Sequence, residues 1–142
     1  MGRRPVEPVD TIWLNMDRAD NLMVIESLMM LDGPVDWQRF KATVEHRITD
    51  RFPVFRQRPV ASRIPMVAPH WEDDPEFDVE RHFVHARLPQ PGQDPQLQAY
   101  LNSHLGRSLD RSRPMWEMHL IDGYQGGSAV YSRLHHALAD GI

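Results

Sequence analysis

Residues 115–134 constrain the fold more than any other part of this 142-residue chain. Met115, Glu117, His119 and Ile121 alternate with Trp116, Met118 and Leu120, the period-two pattern of a strand. Asp122-Gly123 and Gly126-Gly127 supply turn residues, and residues 128–134 supply a second strand. A connection this short joins only antiparallel neighbours. The predicted hairpin therefore delivers the next residues, His135-His136-Ala137-Leu138-Ala139-Asp140-Gly141-Ile142, to the end of a strand.

The remaining elements follow the same logic. Residues 1–10, polar and with two prolines, predict an extended arm, and the patch Thr11-Ile12-Trp13-Leu14 is placed to dock it on a core. Residues 23–31 read as a strand, stopped by Asp32-Gly33-Pro34. Asp36 is an N-cap for a helix over 36–50, where Trp37, Phe40, Val44 and Ile48 recur at spacings of three and four. The Phe52-Pro53 pair ends it. Residues 53–77 carry five prolines, which leave room only for short edge strands near 56–60 and 66–71. A strand over 84–88 and the loop Pro89-Gln90-Pro91-Gly92 lead into a second helix from Asp94-Pro95, with Gly106 just past its end. The order β-α-(β)-β-α-β-β predicts one layered α/β domain over residues 1–142.

Composition excludes more than it proposes. A net charge of −4 gives no nucleic-acid signal. The absence of cysteine removes disulfides, thiolate nucleophiles and Cys-based zinc sites. No apolar run approaches the ~18 residues of a membrane span. The basic start Met1-Gly2-Arg3-Arg4-Pro5 has no apolar signal core behind it, so a cytoplasmic location is expected.

The terminal stretch supports several chemistries. Adjacent strand residues face opposite ways, so only one of His135 and His136 enters a given pocket if both are extended. Asp140, four residues after His136, either orients an imidazole or pairs with an arginine to brace the loop, and Gly141 permits a tight backbone path. An imidazole titrating near neutrality suits proton removal from an alcohol or amine. The rivals are histidines with no role beyond surface or core, and a metal site. The metal reading lacks a fourth ligand at recognisable spacing and is not adopted. A Ser-His-Asp hydrolase lacks its G-x-S-x-G turn. Met23, Met29, Met30 and Leu31 fit either an acyl channel or, more simply, a core. Arg47, Arg51, Arg56, Arg58 and Arg63 read as a solvated face rather than a phosphate site.

His135-His136-Ala137-Leu138-Ala139-Asp140-Gly141 resembles the HHxxxDG motif of the CoA-dependent acyltransferase superfamily. Three further segments resemble its wax ester synthase/diacylglycerol acyltransferase branch: Pro8-Val9-Asp10-Thr11-Ile12-Trp13-Leu14, Phe77-Asp78-Val79-Glu80-Arg81-His82-Phe83, and Arg113-Pro114-Met115-Trp116-Glu117-Met118, with Met115 where leucine is usual. The resemblance implies a chloramphenicol-acetyltransferase-like fold, a mixed sheet flanked by helices, forming the N-terminal half of a two-domain enzyme whose C-terminal domain is absent. It implies His136 as general base, His135 as a supporting residue, Asp140 as a structural brace and Gly141 as backbone room. The implied partners are acyl-CoA as co-substrate, diacylglycerol or a long-chain alcohol as acceptor, the C-terminal half of the same enzyme, and a membrane or lipid-droplet surface met peripherally. No other cofactor and no metal is implied. The competing expectations are condensation on carrier-bound substrates and a non-catalytic binding domain.

Overall fold

The structure, a computed structural model, describes residues 3–18 and 22–139. β1 (Arg4–Pro5) precedes α1 (Pro8–Met16), so the arm expected over residues 1–10 turns helical before it ends. Pro8 sits in the first turn, where its missing N–H has no intrahelical partner to lose and its fixed φ suits a helix. The patch at 11–14 lies within α1: Leu14 is buried, while Val9, Ile12 and Met16 face outward.

β2 (Val24–Leu31) forms where expected, but it is an edge strand. Met29 and Met30 are 60% and 58% exposed, which overturns their reading as core. α2 (Trp37–Val44) starts at Asp36, whose carboxylate accepts from Arg39 N–H at 2.8 Å. The helix expected to continue to residue 50 does so as a π-turn over Glu45–Thr49, and Pro53 then opens a 3₁₀ turn. β3 (Gln57–Val60) and β4 (His70–Asp73) are the short edge strands of the proline-rich stretch. The second begins later than the expected 66–71, because Met66 has a φ of 69°, outside the range of a strand. A 3₁₀ turn capped by Asp78 runs into β5 (Phe83–Arg87), and α3 (Asp94–His104) follows.

β6 (Trp116–Tyr124) and β7 (Gly127–His135) form the antiparallel hairpin, and α4 (His136–Ala139) follows at once. Asp122-Gly123 belongs to β6, at a register shift, and not to the turn. Gln125 and Gly126 make the turn, with φ values of 51° and 77°. Two consecutive positive φ angles match the twist of a tight hairpin, which is why Gly126 is there.

The main sheet has the order β2-β7-β6-β5, antiparallel at its first two pairings and parallel between β5 and β6. It is the mixed sheet expected. A small second sheet has the order β1-β4-β3. Gly127 lets the end of β2 cross close by: a Cβ there would sit 2.1 Å from the Leu31 carbonyl oxygen. Helices flank the main sheet. α3 covers one face through Leu97, Tyr100 and Leu101 against Ile121, Ala129 and Tyr131. The other face meets Trp37 and Phe40 of α2 and a core of Leu14, Val54, Phe55, Trp71, Phe83 and Trp116. That second core also takes in Ala137 and Leu138, so α4 is drawn down beside α1. Burial of the larger of these side chains contributes about 1.5–3 kcal/mol each and fixes where the strand end points. Among the described residues, no helix is long and apolar enough to cross a membrane.

Candidate functional site

β7 ends on His135, and His136 opens α4, so the two histidines part where the strand becomes a helix. His135 is 1% exposed. Its Nδ1 accepts the Ala137 N–H at 3.0 Å, so the hydrogen of the neutral ring belongs on Nε2. Nε2 lies 3.5 Å from Asp17 Oδ2. Burial pushes the His135 pKa down to about 4, outweighing the pull of Asp17, and the ring is neutral at physiological pH. His136 is half-buried. Its N–H donates to the Met23 carbonyl at 2.9 Å, and its ring stacks on Trp13 at 4.7 Å and 27°. Among the described residues, its ring nitrogens have no hydrogen-bond partner. Asp140 and Gly141 lie outside the described residues.

The surroundings of the pair come from parts of the chain distant in sequence. Asp17 Oδ1 accepts from Met23 N–H at 2.8 Å, and Oδ2 lies 3.3 Å from Arg111 Nη2, which also donates to the Leu14 carbonyl. Sequence reasoning missed Asp17, Trp13 as a ring partner, and Arg111. The only signal for them is that Trp13 and Asp17 bracket the end of an apolar run, and nothing in the sequence ties that run to residue 136. Beside Arg111 a cleft of about 380 Å³ opens between the end of α1 and the loop after β3, lined by Leu14, Ile64, Met66 and Val67 among others.

Of the segments that carried the family resemblance, 8–14 reaches the site through Trp13, whereas 77–83 and 113–118 act at a distance. His82 is buried, stacks on Trp116 at 4.6 Å and shares its Nδ1 with the Trp116 carbonyl at 2.8 Å. Burial lowers its pKa as well. The Trp116 indole N–H donates to the Phe55 carbonyl at 2.9 Å, and Met115 is 1% exposed. These residues wedge β5 and β6 against the second core. The arginines at 47–63 do not converge: Arg56 donates to the Thr49 carbonyl and Arg58 to the Ser112 carbonyl, 3.2 Å away.

A second cluster, also missed, lies on the α3 face. The Tyr100 hydroxyl is 2.5 Å from His119 Nδ1, and His119 Nε2 is 3.2 Å from Glu117 Oε1. Arg133, 2% exposed, donates to Glu117 at 3.1 Å, to Glu26 at 2.9 Å and to the Arg107 carbonyl. Hydrogen bonds from His119 and Arg133 hold the Glu117 carboxyl down at about 2. Burial, reinforced by Glu117, pushes the Tyr100 hydroxyl up to about 12. His104, Glu117 and His119 bring ligand-type atoms within 4.8 Å of one another. Arg133 argues against a metal there. Its guanidinium already neutralises Glu117, and it stands where a divalent cation would meet a positive charge at short range.

The chain resembles known proteins along nearly its full length. An O-acyltransferase of Acinetobacter baylyi is 31% identical, aligned over 98% of this chain and 30% of its own. A probable diacylglycerol O-acyltransferase of Mycobacterium tuberculosis is 36% identical over 90% of this chain and 28% of its own. The solved wax ester synthase/diacylglycerol acyltransferase of Marinobacter aquaeolei VT8 superposes with a TM-score of 0.75 at 28% identity, covering 97% of this chain and 35% of that one. The first condensation domain of the calcium-dependent antibiotic synthetase also superposes at 0.75, but at 14% identity, and shares the fold alone. The chain thus spans about a third of the length of these wax ester synthase and diacylglycerol acyltransferase relatives, and half of another probable diacylglycerol O-acyltransferase of Mycobacterium tuberculosis. The family model for the wax ester synthase/diacylglycerol acyltransferase catalytic domain matches residues 6–142, and the chain belongs to that family.

Proposed function

We propose that this chain supplies the catalytic base of an acyl-CoA-dependent O-acyltransferase and forms its N-terminal domain. The observation that carries the reading is the division of labour at residues 135 and 136. One imidazole is buried, neutral and committed to the backbone; the next is half-exposed with its ring nitrogens unengaged among the described residues. His136 takes the proton from the acceptor hydroxyl as its oxygen bonds to the thioester carbonyl carbon. The tetrahedral intermediate then breaks its C–S bond, and His136 returns the proton to the departing CoA sulfur. The products are an ester and free CoA, with no acyl-enzyme. His135 supports His136. Asp140 braces the loop and Gly141 gives it room. The acceptor is diacylglycerol or a long-chain alcohol, giving triacylglycerol or wax esters.

The Acinetobacter and Marinobacter relatives are about three times longer than the matched region, so the groups that complete the pocket belong to the further domain, and residues 1–142 alone are inactive. The protein meets its lipid substrates as a peripheral protein on the cytoplasmic side. Ile64, Met66 and Val67, 65%, 103% and 54% exposed on one loop beside Arg63, support contact with a lipid surface.

The test is His136→Ala in the polypeptide at its natural length, assayed with palmitoyl-CoA and either diacylglycerol or hexadecanol. Ester formation is expected to fall by about 10²–10⁴-fold in a folded protein. Near-normal turnover would remove His136 as the base. Transfer from a carrier-bound donor, with none from free acyl-CoA, would favour the condensation reading instead.

A further inference from the structure

Two backbone N–H groups flank the Cα of His136: its own and that of Ala137. The first donates to the Met23 carbonyl at 2.9 Å, the second to His135 Nδ1 at 3.0 Å. Both acceptors lead to one side chain. Asp17 Oδ1 accepts from Met23 N–H at 2.8 Å and so fixes the residue whose carbonyl holds His136. Asp17 Oδ2 faces His135 Nε2 at 3.5 Å, the nitrogen that carries the hydrogen when Nδ1 accepts. Arg111 closes the far side, 3.3 Å from Oδ2 and anchored on the Leu14 carbonyl. The Asp17 side chain is 9% exposed and His135 1%.

We propose that Asp17 is the positioning residue of this site: it selects the Nε2–H tautomer of His135 and holds Met23, and through both it sets how His136 presents its ring. The proposal rests on His136 being the base. A carboxylate suits this place because Met23 N–H and the Arg111 guanidinium donate to it, and the buried His135 Nε2, which has no other polar partner among the described residues, faces it at 3.5 Å with its hydrogen. A carboxylate accepts on both oxygens, whereas an amide brings two hydrogens of its own. Asp17→Asn therefore turns an NH₂ group toward at least one donor. The cheapest relief is for His135 to move its hydrogen to Nδ1. That ring no longer accepts from Ala137, and the N–H at the start of α4 is left buried without a partner. His136 then loses one of its two backbone restraints, and a base held loosely transfers protons less often.

The experiment combines ¹⁵N imidazole spectra with steady-state kinetics of the natural-length polypeptide, unsubstituted and as Asp17→Asn. The unsubstituted protein is expected to show His135 with its hydrogen on Nε2. Asp17→Asn is expected to shift that hydrogen to Nδ1 and to lower kcat by about 10–100-fold, by analogy with residues that orient a ligating histidine. The KM for palmitoyl-CoA should change by no more than about twofold, since uniform binding is untouched. A His135 hydrogen on Nδ1 in the unsubstituted protein overturns the proposal. So does an Asp17→Asn enzyme whose kcat stays within about twofold of the parent, or whose loss lies wholly in KM. Should the variant not fold, the spectrum of the unsubstituted protein decides alone. Should the parent transfer no acyl group, that spectrum still tests the link between Asp17 and His135, so the two readings fail separately.

Discussion

Two histidine clusters among the described residues differ in kind, and the richer one is the more fully engaged by its own neighbours. On the α3 face, His104 and His119 lie with Glu117, Tyr100, Tyr131 and Arg133, an inventory that looks like a catalytic or metal centre. Its strongest charges are already answered: Glu117 binds His119 and Arg133, and Arg133 also binds Glu26. At the end of β7 the inventory is smaller, yet His136 keeps its ring nitrogens unengaged among the described residues. A reactive group is marked by what its neighbours leave unsatisfied, and the number of ionisable side chains nearby is a poor guide to it.

The contrast can be broken in order of expected size. Substituting His136 by Ala should cost about 10²–10⁴-fold in ester formation, while His104→Ala, in the crowded cluster, should stay within about threefold. Equal losses in the two variants would erase the distinction. Arg133→Met leaves Glu26 and Glu117 without their shared cation, and urea unfolding should register a loss of about 3 kcal/mol, with part regained on adding Glu117→Gln. A loss below about 0.5 kcal/mol would mean that the buried network is solvated and loose. Acid should act on His135 before it acts on the Glu117–Arg133 pair. His135 titrates at 6.5 in an unfolded chain but at about 4 when folded, so the unfolded state binds the proton first and stability falls between those pH values. Glu117 goes from 4.5 down to about 2 on folding, so its contribution is retained to lower pH and is lost over that later window. Replacing His135 by Asn should flatten only the upper part of a stability-against-pH curve. The smallest effect belongs to neither cluster. Met66→Ser, on the fully exposed loop, should leave folding within about 0.5 kcal/mol and weaken co-sedimentation with anionic phospholipid vesicles.

What the sequence made legible was local. Asp36 announces its helix because a cap and the N–H it serves are three residues apart. The hairpin is visible because period-two alternation and turn glycines adjoin one another. α1 was hidden because proline reads as a breaker until its position within the first turn is known. The exposure of Met29 and Met30 was hidden because the strand's place in the sheet order, and not its composition, puts them at an edge. In the site, the motif named His135 and His136 but none of the residues that tell them apart. Asp17, Trp13 and Arg111 reach the pair through long-range packing of α1 on α4, a relation that leaves no spacing behind in the sequence.

That packing of α1 on α4 also sets an order of events. The β6–β7 hairpin closes through a two-residue turn and can form early, carrying His135 and His136 with it. Its histidines acquire their environment only when a helix made near the start of the sequence returns to meet one made near its end, the kind of contact that closes late because the intervening loop is long. Changes at the α1–α4 seam should therefore leave the refolding rate almost untouched and raise the unfolding rate. The part of the molecule assigned to chemistry would be the last to assemble and the first to open.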